Sequence, residues 1–162
     1  VAIDQLKISP ATYGDLAIIP SLGLFVGALI SAYMSKRHSA IKSSYIGLVF
    51  MVIGAVIMSC AFFMNAINLT TLLAPSFLLF LGAAIVIPNV SMTAISKAKN
   101  PAIASSVINS IALILSSIVV TISGYVFDLG AVVLPAVLLI LSLLGLLLLK
   151  LTKSIHEEVQ IK

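Results

Sequence analysis

Five apolar segments, each long enough to cross a lipid bilayer, constrain the fold of this chain more than any other feature of its sequence. A helix needs about 20 residues to cross a hydrocarbon core of about 30 Å. The segments cover residues 16–35, 44–64, 72–96, 102–127 and 131–151. They lack the period-two alternation of barrel strands, and in lipid only a helix satisfies its own backbone hydrogen bonds without closing a barrel. The sequence therefore predicts an all-α integral membrane protein with five transmembrane helices, which form one bundle over residues 16–151.

Composition supports this prediction, because 61% of the 162 residues are hydrophobic and only 9% are charged. Soluble domains need about a quarter of their residues charged in order to face water. The net charge of +4 comes from short basic clusters between the apolar segments and not from one basic stripe, so nucleic-acid binding is not predicted. The single cysteine, Cys60, excludes a disulfide framework or a thiol metal cluster within the chain.

The basic residues predict the orientation, since Lys and Arg in short loops stay on the cytoplasmic side. Of the nine basic residues, only Lys7 falls on the opposite side. The other eight are Lys36, Arg37, Lys42, Lys97, Lys99, Lys150, Lys153 and Lys162. We therefore expect an external N-terminal loop over residues 1–15 and a cytoplasmic tail over residues 152–162. The odd number of spans, the external N-terminus and the first residue, Val1, lead us to expect that the chain begins partway through a larger protein.

The fourth segment has a polar face and an apolar face when its residues are placed at intervals of about 100°. One arc holds Ser105, Ser106, Asn109, Ser110, Ala112, Ser116, Ser117, Thr121, Ser123 and Gly124. The other arc holds Val107, Ile108, Ile111, Ile114, Leu115, Ile118, Val119 and Ile122. The polar arc is typical either of close packing between helices or of the wall of a wet cavity. Its candidate substrate contacts are Asn109, Ser116, Ser117 and Thr121.

The third segment carries a narrower polar stripe that includes Gly82, Asn89 and Thr93, with Pro88 directly before the asparagine. Proline removes one backbone donor and leaves a carbonyl oxygen in the preceding turn without its usual partner. Two interpretations remain open: the Asn89 amide satisfies the kinked backbone locally, or it faces a substrate cavity from a pliable helix. Asn89 and Thr93 are therefore candidate substrate contacts, and Gly82 and Pro88 are candidate packing or hinge residues.

The first segment has a seam of small residues at spacings of four, formed by Gly23, Gly27 and Ser31. Such a seam allows two membrane helices to approach closely. Pro20 adds a predicted bend at the start of the segment. The second and fifth segments are dominated by bulky apolar residues, so we expect them to lie mainly against lipid.

Catalytic machinery is missing from the sequence, and no enzyme activity, metal or cofactor is predicted. His38 lies in a loop and His156 in the tail, so they cannot form a metal pair or a catalytic dyad inside the bundle. Asp15 and Asp128 lie at the external edge of the spans. A proton-coupled carrier usually has a titratable group at membrane depth, so this chain does not carry an evident main site for proton coupling.

Two stretches resemble the C-terminal half of a major facilitator superfamily transporter, most of all the bicyclomycin-resistance type of drug:proton antiporter. The stretch "LGAAIVIPNVSMTAISKAKNPAIASS" is similar to the tenth helix of that branch, its short cytoplasmic loop and the start of the eleventh helix. The stretch "ISPATYGDLAIIPSLGLFVGALISAYMSKRHS" looks like the eighth helix with its flanking loops. The chain departs from the family at Pro101-Ala102, where an Ala-Gly pair is frequent, and at neutral Ala32, where some relatives are acidic.

The resemblance implies that the five segments are helices eight to twelve of a twelve-helix carrier in a bacterial inner membrane. The implied partners are the N-terminal half with helices one to seven, a small amphipathic organic substrate, a proton and the lipid bilayer. The first, third and fourth segments would face the central cavity, and carriers of this fold alternate access by rocking one half against the other. The implied function is multidrug efflux by proton antiport, incomplete in this chain alone. The alternative is a non-transporting membrane protein that packs against a partner complex and stabilises it.

Overall fold

The computed structural model describes the backbone of residues 14–64, 66, 68–126 and 133–160, and the side chains in these ranges except at 126, 134 and 152–160. The described residues form five long helices: α1 Ile18–Ser35, α2 Ala40–Phe63, α3 Leu69–Ser96, α4 Pro101–Val126 and α5 Val133–Gln160. The prediction of an all-helical fold is confirmed for this part of the chain. Four of the helices are long and apolar enough to cross a membrane, and the described apolar part of α5, Pro135–Leu151, is shorter.

Local capping explains why two helices begin before the apolar segments do. The Ser39 Oγ accepts a hydrogen bond from the Lys42 N–H at 3.4 Å, and α2 starts at Ala40. At the start of α3, the Asn68 N–H donates to the Thr71 Oγ1 at 2.8 Å. Side chains of this kind satisfy backbone groups that have no partner in the first helical turn. The starts of these two helices therefore follow polar capping side chains, whereas hydropathy detects only the apolar core of each helix.

The segment expected as a cytoplasmic tail is mostly helical, since α5 continues to Gln160. The expected external loop lies largely outside the described residues, as does the turn that contains Asp128. Pro20 lies just after a helical break at Ala17. A proline ring clashes with the carbonyl four residues earlier, which accounts for the break between the short helical piece at residues 14–16 and α1.

Helix α3 is the centre of the bundle and packs against α1 on one side and α2 on the other. It runs parallel to α1, because Gly23 approaches Phe77 and Gly27 approaches Leu81 further along both helices. A Cβ atom added at Gly27 would overlap the Leu81 carbonyl oxygen. The small-residue seam of α1 therefore lets two backbones meet, and the dispersion contacts of close packing are what hold helices together in lipid.

Helix α2 packs antiparallel to α3 through a second pair of glycines. A Cβ atom added at Gly47 would lie 2.8 Å from the Gly82 carbonyl oxygen, and one added at Gly54 would lie 2.9 Å from the Pro75 carbonyl oxygen. Toward the other end of α2, Met58 and its neighbours form an apolar cluster: Ala55, Met58, Phe62, Leu72 and Leu79. Helix α5 joins this bundle by placing Gly145 against the Leu48 side chain.

The expectation that the second segment lies mainly against lipid needs correction. Helix α2 buries eight residues, the same number as α3: they are Ser43, Ser44, Gly47, Leu48, Gly54, Ala55, Met58 and Phe62. Its other side is apolar and exposed, for example at Ile53 and Ile57. Glycines at positions 47 and 54 are seven residues apart, or about two helical turns, so they line one face and direct it against α3.

Helix α4 stands apart from the other four helices. It makes few contacts with α3 and α5, and no described side chain along it is buried. Its 26 residues give a length of about 39 Å, enough to span a bilayer. Both faces that the sequence distinguishes on this helix are therefore uncovered.

Two neighbouring serines at the start of α2 provide a matched test of hydrogen bonding in the core. Ser43 and Ser44 are 0% and 1% exposed. The Ser44 Oγ donates to the Ala40 carbonyl oxygen at 2.8 Å, whereas the Ser43 Oγ has no hydrogen-bond partner among the described residues. Because an unpaired buried hydroxyl is unfavourable, we expect Ser43→Ala to stabilise the protein by about 1 kcal/mol.

The control is Ser44→Ala, which removes a satisfied hydroxyl and should destabilise the protein by about 0.5 kcal/mol. The free energy of unfolding of both variants can be measured in mixed micelles by circular dichroism during titration with a denaturing detergent. A loss of stability in Ser43→Ala as large as that in Ser44→Ala would contradict the assignment of an unpaired Ser43 hydroxyl.

Candidate functional site

The Pro88-Asn89 pair of α3 is the centre of a buried hydrogen-bond network. Pro88 has no N–H, so the α-helical hydrogen bond to the carbonyl four residues earlier is absent. The Asn89 Nδ2 donates to the Ile85 carbonyl oxygen at 2.7 Å and to the Ser31 Oγ of α1 at 2.9 Å. Asn89 is only 7% exposed and Ser31 only 6%. The amide thus supports the backbone next to the proline and also links α3 to α1.

The bond to Ile85 agrees with the interpretation in which the Asn89 amide satisfies its own helix locally, and the bond to Ser31 was part of neither interpretation. Thr93, one turn later, is half-buried, and its Oγ1 donates to the Asn89 carbonyl oxygen at 2.8 Å. Gly82 faces Gly47 and Met51 of α2. The polar stripe of the third segment is therefore divided between two helix contacts: Gly82 packs against α2, and Asn89 forms a hydrogen bond with α1.

The four candidate substrate contacts of α4 have a different environment, since Asn109, Ser116, Ser117 and Thr121 are all exposed. The Ser117 Oγ donates to the Leu113 carbonyl oxygen at 2.9 Å, and the Thr121 Oγ1 donates to the Ser117 carbonyl oxygen at 2.7 Å. These two hydroxyls therefore keep their acceptor lone pairs available. Within the part of the chain that the structure describes, the side-chain amide of Asn109 makes no hydrogen bond.

An uncovered Asn109 is unfavourable in hydrocarbon, because its amide carries two donor hydrogens and an acceptor oxygen. The opposite arc of α4 contains exposed apolar residues such as Ile114 and Ile118 and suits acyl chains. Lipid therefore suits this apolar arc of α4. On the other arc, where Leu113 and Val120 are also exposed, the side chain of Asn109 is the group that favours water, a polar ligand or another protein surface over acyl chains.

The structure does not bring the α3 and α4 candidates together into one site. Asn89 is turned toward α1, whereas Asn109 and Ser117 lie on a helix with few contacts. Among the described side chains, no group of three His, Cys, Asp or Glu residues could hold a metal ion. The chemistry of the α4 face is consequently that of neutral hydrogen-bond donors and acceptors beside apolar surface.

Two contacts between polar side chains were among those that the sequence did not predict. The first is the pairing of Ser31 with Asn89, which joins positions far apart in the chain. The second is the position of the Arg37 guanidinium over the Tyr33 ring, with 4.9 Å between the guanidinium carbon and the ring centroid. For this second contact the spacing of four residues was the available signal, since such residues are neighbours on a helical surface.

No protein-family model, curated protein or solved structure matches the chain.

Proposed function

We propose that this chain is the C-terminal portion of a secondary active transporter of the major facilitator type, which exports small amphipathic organic compounds by proton antiport. The observation that carries the proposal is the uncovered polar arc of α4, on a helix long enough to span the membrane. The resemblance of residues 81–106 to the tenth and eleventh helices of drug antiporters supports it. In this proposal, the chain contributes one wall of a transport pathway.

The spread of polar groups along α4 fits a pathway better than a single binding spot. Asn109 and Thr121 are twelve residues apart, a distance of about 18 Å along the helix axis. Ser116 and Ser117 lie between them on the same arc. This row extends through more than half of a hydrocarbon core of about 30 Å. An amphipathic compound moving along it meets hydrogen-bonding groups at successive depths and apolar side chains beside them.

The Pro88-Asn89 pair supplies a hinge for the alternation of access in this proposal. Proline weakens the helical hydrogen-bond ladder locally, and a helix bends readily at such a point. The Asn89 side-chain amide donates to the Ile85 carbonyl oxygen of its own helix and holds α3 to Ser31 of α1. The two helices therefore move together when one half of the carrier rocks against the other.

The remaining elements of the proposal are partners and location. The partner is an N-terminal half with helices one to seven, which covers α4 and carries the proton-coupling carboxylate. The location is a bacterial inner membrane, with the N-terminus outside and the C-terminus in the cytoplasm. Because alternating access requires two halves, the chain by itself is not a complete carrier.

Cysteine accessibility tests the proposal in intact cells. In a Cys60→Ser background, Ser117→Cys should react with a membrane-impermeant thiol reagent at least roughly tenfold faster than Ile118→Cys, because the thiolate is the reactive form and needs water. The two positions are adjacent on α4 and both exposed, so they differ mainly in the arc to which they belong. The rate of labelling is followed by a shift in gel mobility.

Each outcome assigns the α4 face to one environment. Labelling that slows when an amphipathic cation is added supports a substrate pathway. Protection of Ser117→Cys in whole membranes, together with labelling after mild detergent extraction, favours the non-transporting alternative in which α4 packs against a partner. Spin labels at Asn109, Ser116 and Ser117 that report acyl chains would overturn both.

A further inference from the structure

The end of the bundle that contains the α1–α2 connection is strongly basic. Lys36, Arg37 and Lys42 lie within seven residues of one another, and all three are exposed. Between Asp15 and Asp128, the sequence contains no carboxylate side chain. The cations of this connection therefore have no acidic neighbour along the sequence to neutralise them.

Helix packing brings further basic residues to the same end. Helices α1 and α3 are parallel and joined by the Ser31–Asn89 hydrogen bond, so the α1–α2 and α3–α4 connections lie at one end of the bundle. Lys97 and Lys99 belong to the second connection. Leu138 and Leu139 of α5 pack against the cluster near Phe62 and Gly145 lies against Leu48, so α5 runs antiparallel to α2 and Lys150 lies at this end as well. The chain's Glu157 and Glu158 follow on α5 about 10 Å or more beyond Lys150 along the helix axis.

Tyr33 and Arg37 form the most specific contact at this basic end of the bundle. The guanidinium carbon lies 4.9 Å from the centroid of the Tyr33 ring, and Tyr33 is 58% exposed in the last turns of α1. Tyrosine is typical of the level where acyl chains meet headgroups. A guanidinium that stacks on a ring still presents N–H groups in its own plane, and these match the two oxygens of a phosphate.

We propose that the rim formed by Tyr33, Lys36, Arg37 and Lys42 binds the phosphate of anionic phospholipid headgroups. Charge complementarity favours this occupant, because an exposed cationic cluster directly after a membrane span lies at the depth of the lipid phosphates. The apolar part of the Tyr33 ring extends toward the acyl chains, which a soluble phosphate lacks. The inference does not depend on transport, and it assigns to these cations a lipid partner in addition to their effect on topology.

The chain has no tryptophan, so one introduced tryptophan reports a single place in the membrane. Tyr33→Trp keeps an aromatic ring under Arg37, and Ile18→Trp is the control at the other end of α1 with similar exposure, 61% against 58%. Each variant is placed in nanodiscs of zwitterionic lipid that contain an equal fraction of brominated phosphatidylglycerol or brominated phosphatidylcholine. The measurement is the quenching of tryptophan fluorescence by the bromine atoms of lipids that lie beside the indole. Nanodiscs present the same lipids to both ends of the protein, so the direction of insertion does not affect the comparison.

In Tyr33→Trp, we expect brominated phosphatidylglycerol to be enriched beside the indole at least about threefold over brominated phosphatidylcholine, and in Ile18→Trp we expect no enrichment. Combining Lys36→Gln, Arg37→Gln and Lys42→Gln with Tyr33→Trp should remove the preference. Equal quenching of Tyr33→Trp by the two lipids, or an unchanged preference in a folded neutralised variant, would overturn the proposal. If the neutralised variant does not fold, the comparison of Tyr33→Trp with Ile18→Trp still decides it.

A competition experiment distinguishes lipid from soluble phosphate and from other polyanions. Inorganic phosphate should relieve the quenching of Tyr33→Trp no more than sodium chloride at equal ionic strength. Relief beyond that of the chloride control would show that the rim takes free phosphate and would overturn the assignment to lipid. Displacement of the lipid by a short RNA at the same charge concentration would overturn it in favour of a nucleic-acid surface.

Discussion

Gly82→Leu should disrupt the contact between α2 and α3 and lower the free energy of unfolding by more than about 3 kcal/mol. A Cβ atom at this position would overlap the Gly47 carbonyl oxygen and lie 2.6 Å from the Met51 Cγ and 3.0 Å from the Met51 N. Two of these three atoms belong to the backbone of α2, which cannot move aside without separating the helices. The four carbons of leucine therefore force α2 and α3 apart along their shared length.

The matched control for this prediction is Gly124→Leu. Gly124 also lies in a helix, but a Cβ atom added there meets nothing within 4 Å. Leucine has a higher helix propensity than glycine, and the control should be neutral or slightly stabilising. Both variants can be compared with the parent by thermal unfolding and by titration with a denaturing detergent. Equal stability of Gly82→Leu and Gly124→Leu would show that α2 and α3 do not meet at Gly82.

Asn89→Ala should destabilise the bundle by about 2 kcal/mol, because it removes two hydrogen bonds from the most central helix. The truncation leaves the Ile85 carbonyl oxygen and the Ser31 hydroxyl without the amide donor, at a site that is only 7% exposed. Water cannot replace the amide at such a site without opening the contact between α1 and α3. The measurement is again the free energy of unfolding in mixed micelles.

Thr93→Ala is the control for Asn89→Ala, since the Thr93 hydroxyl donates only to a carbonyl of its own helix. We expect it to destabilise the protein by less than about 0.5 kcal/mol. A double-mutant cycle with Ser31→Ala isolates the contact between helices, and we expect a coupling energy of about 1 kcal/mol. Coupling near zero would mean that Asn89 acts only within α3, and that the link to α1 does not contribute to stability.

Much of the candidate site could be predicted from one helix at a time. The division of α4 into two arcs follows from helical geometry and residue type, so Asn109, Ser116, Ser117 and Thr121 could be selected as a group. The two interpretations of Asn89 could not be separated in this way. They differ in whether a partner on another helix is within hydrogen-bonding distance, and a helical wheel does not contain that information.

The sequence by itself determined that the described chain is helical and approximately where each helix lies. The reason is local: an apolar run of hydrocarbon length must satisfy its own backbone hydrogen bonds, and capping side chains such as those of Ser39 and Thr71 act within one turn. Only the tertiary structure decided which helices touch. Contacts such as Gly27 with Leu81, Gly47 with Gly82 and Ser31 with Asn89 depend on the fit of surfaces far apart in the chain. That fit placed α3 at the centre, buried one face of α2 and left α4 uncovered. Two helix backbones approach closely only where the surfaces of both helices allow it, and the sequence of one helix alone does not show this.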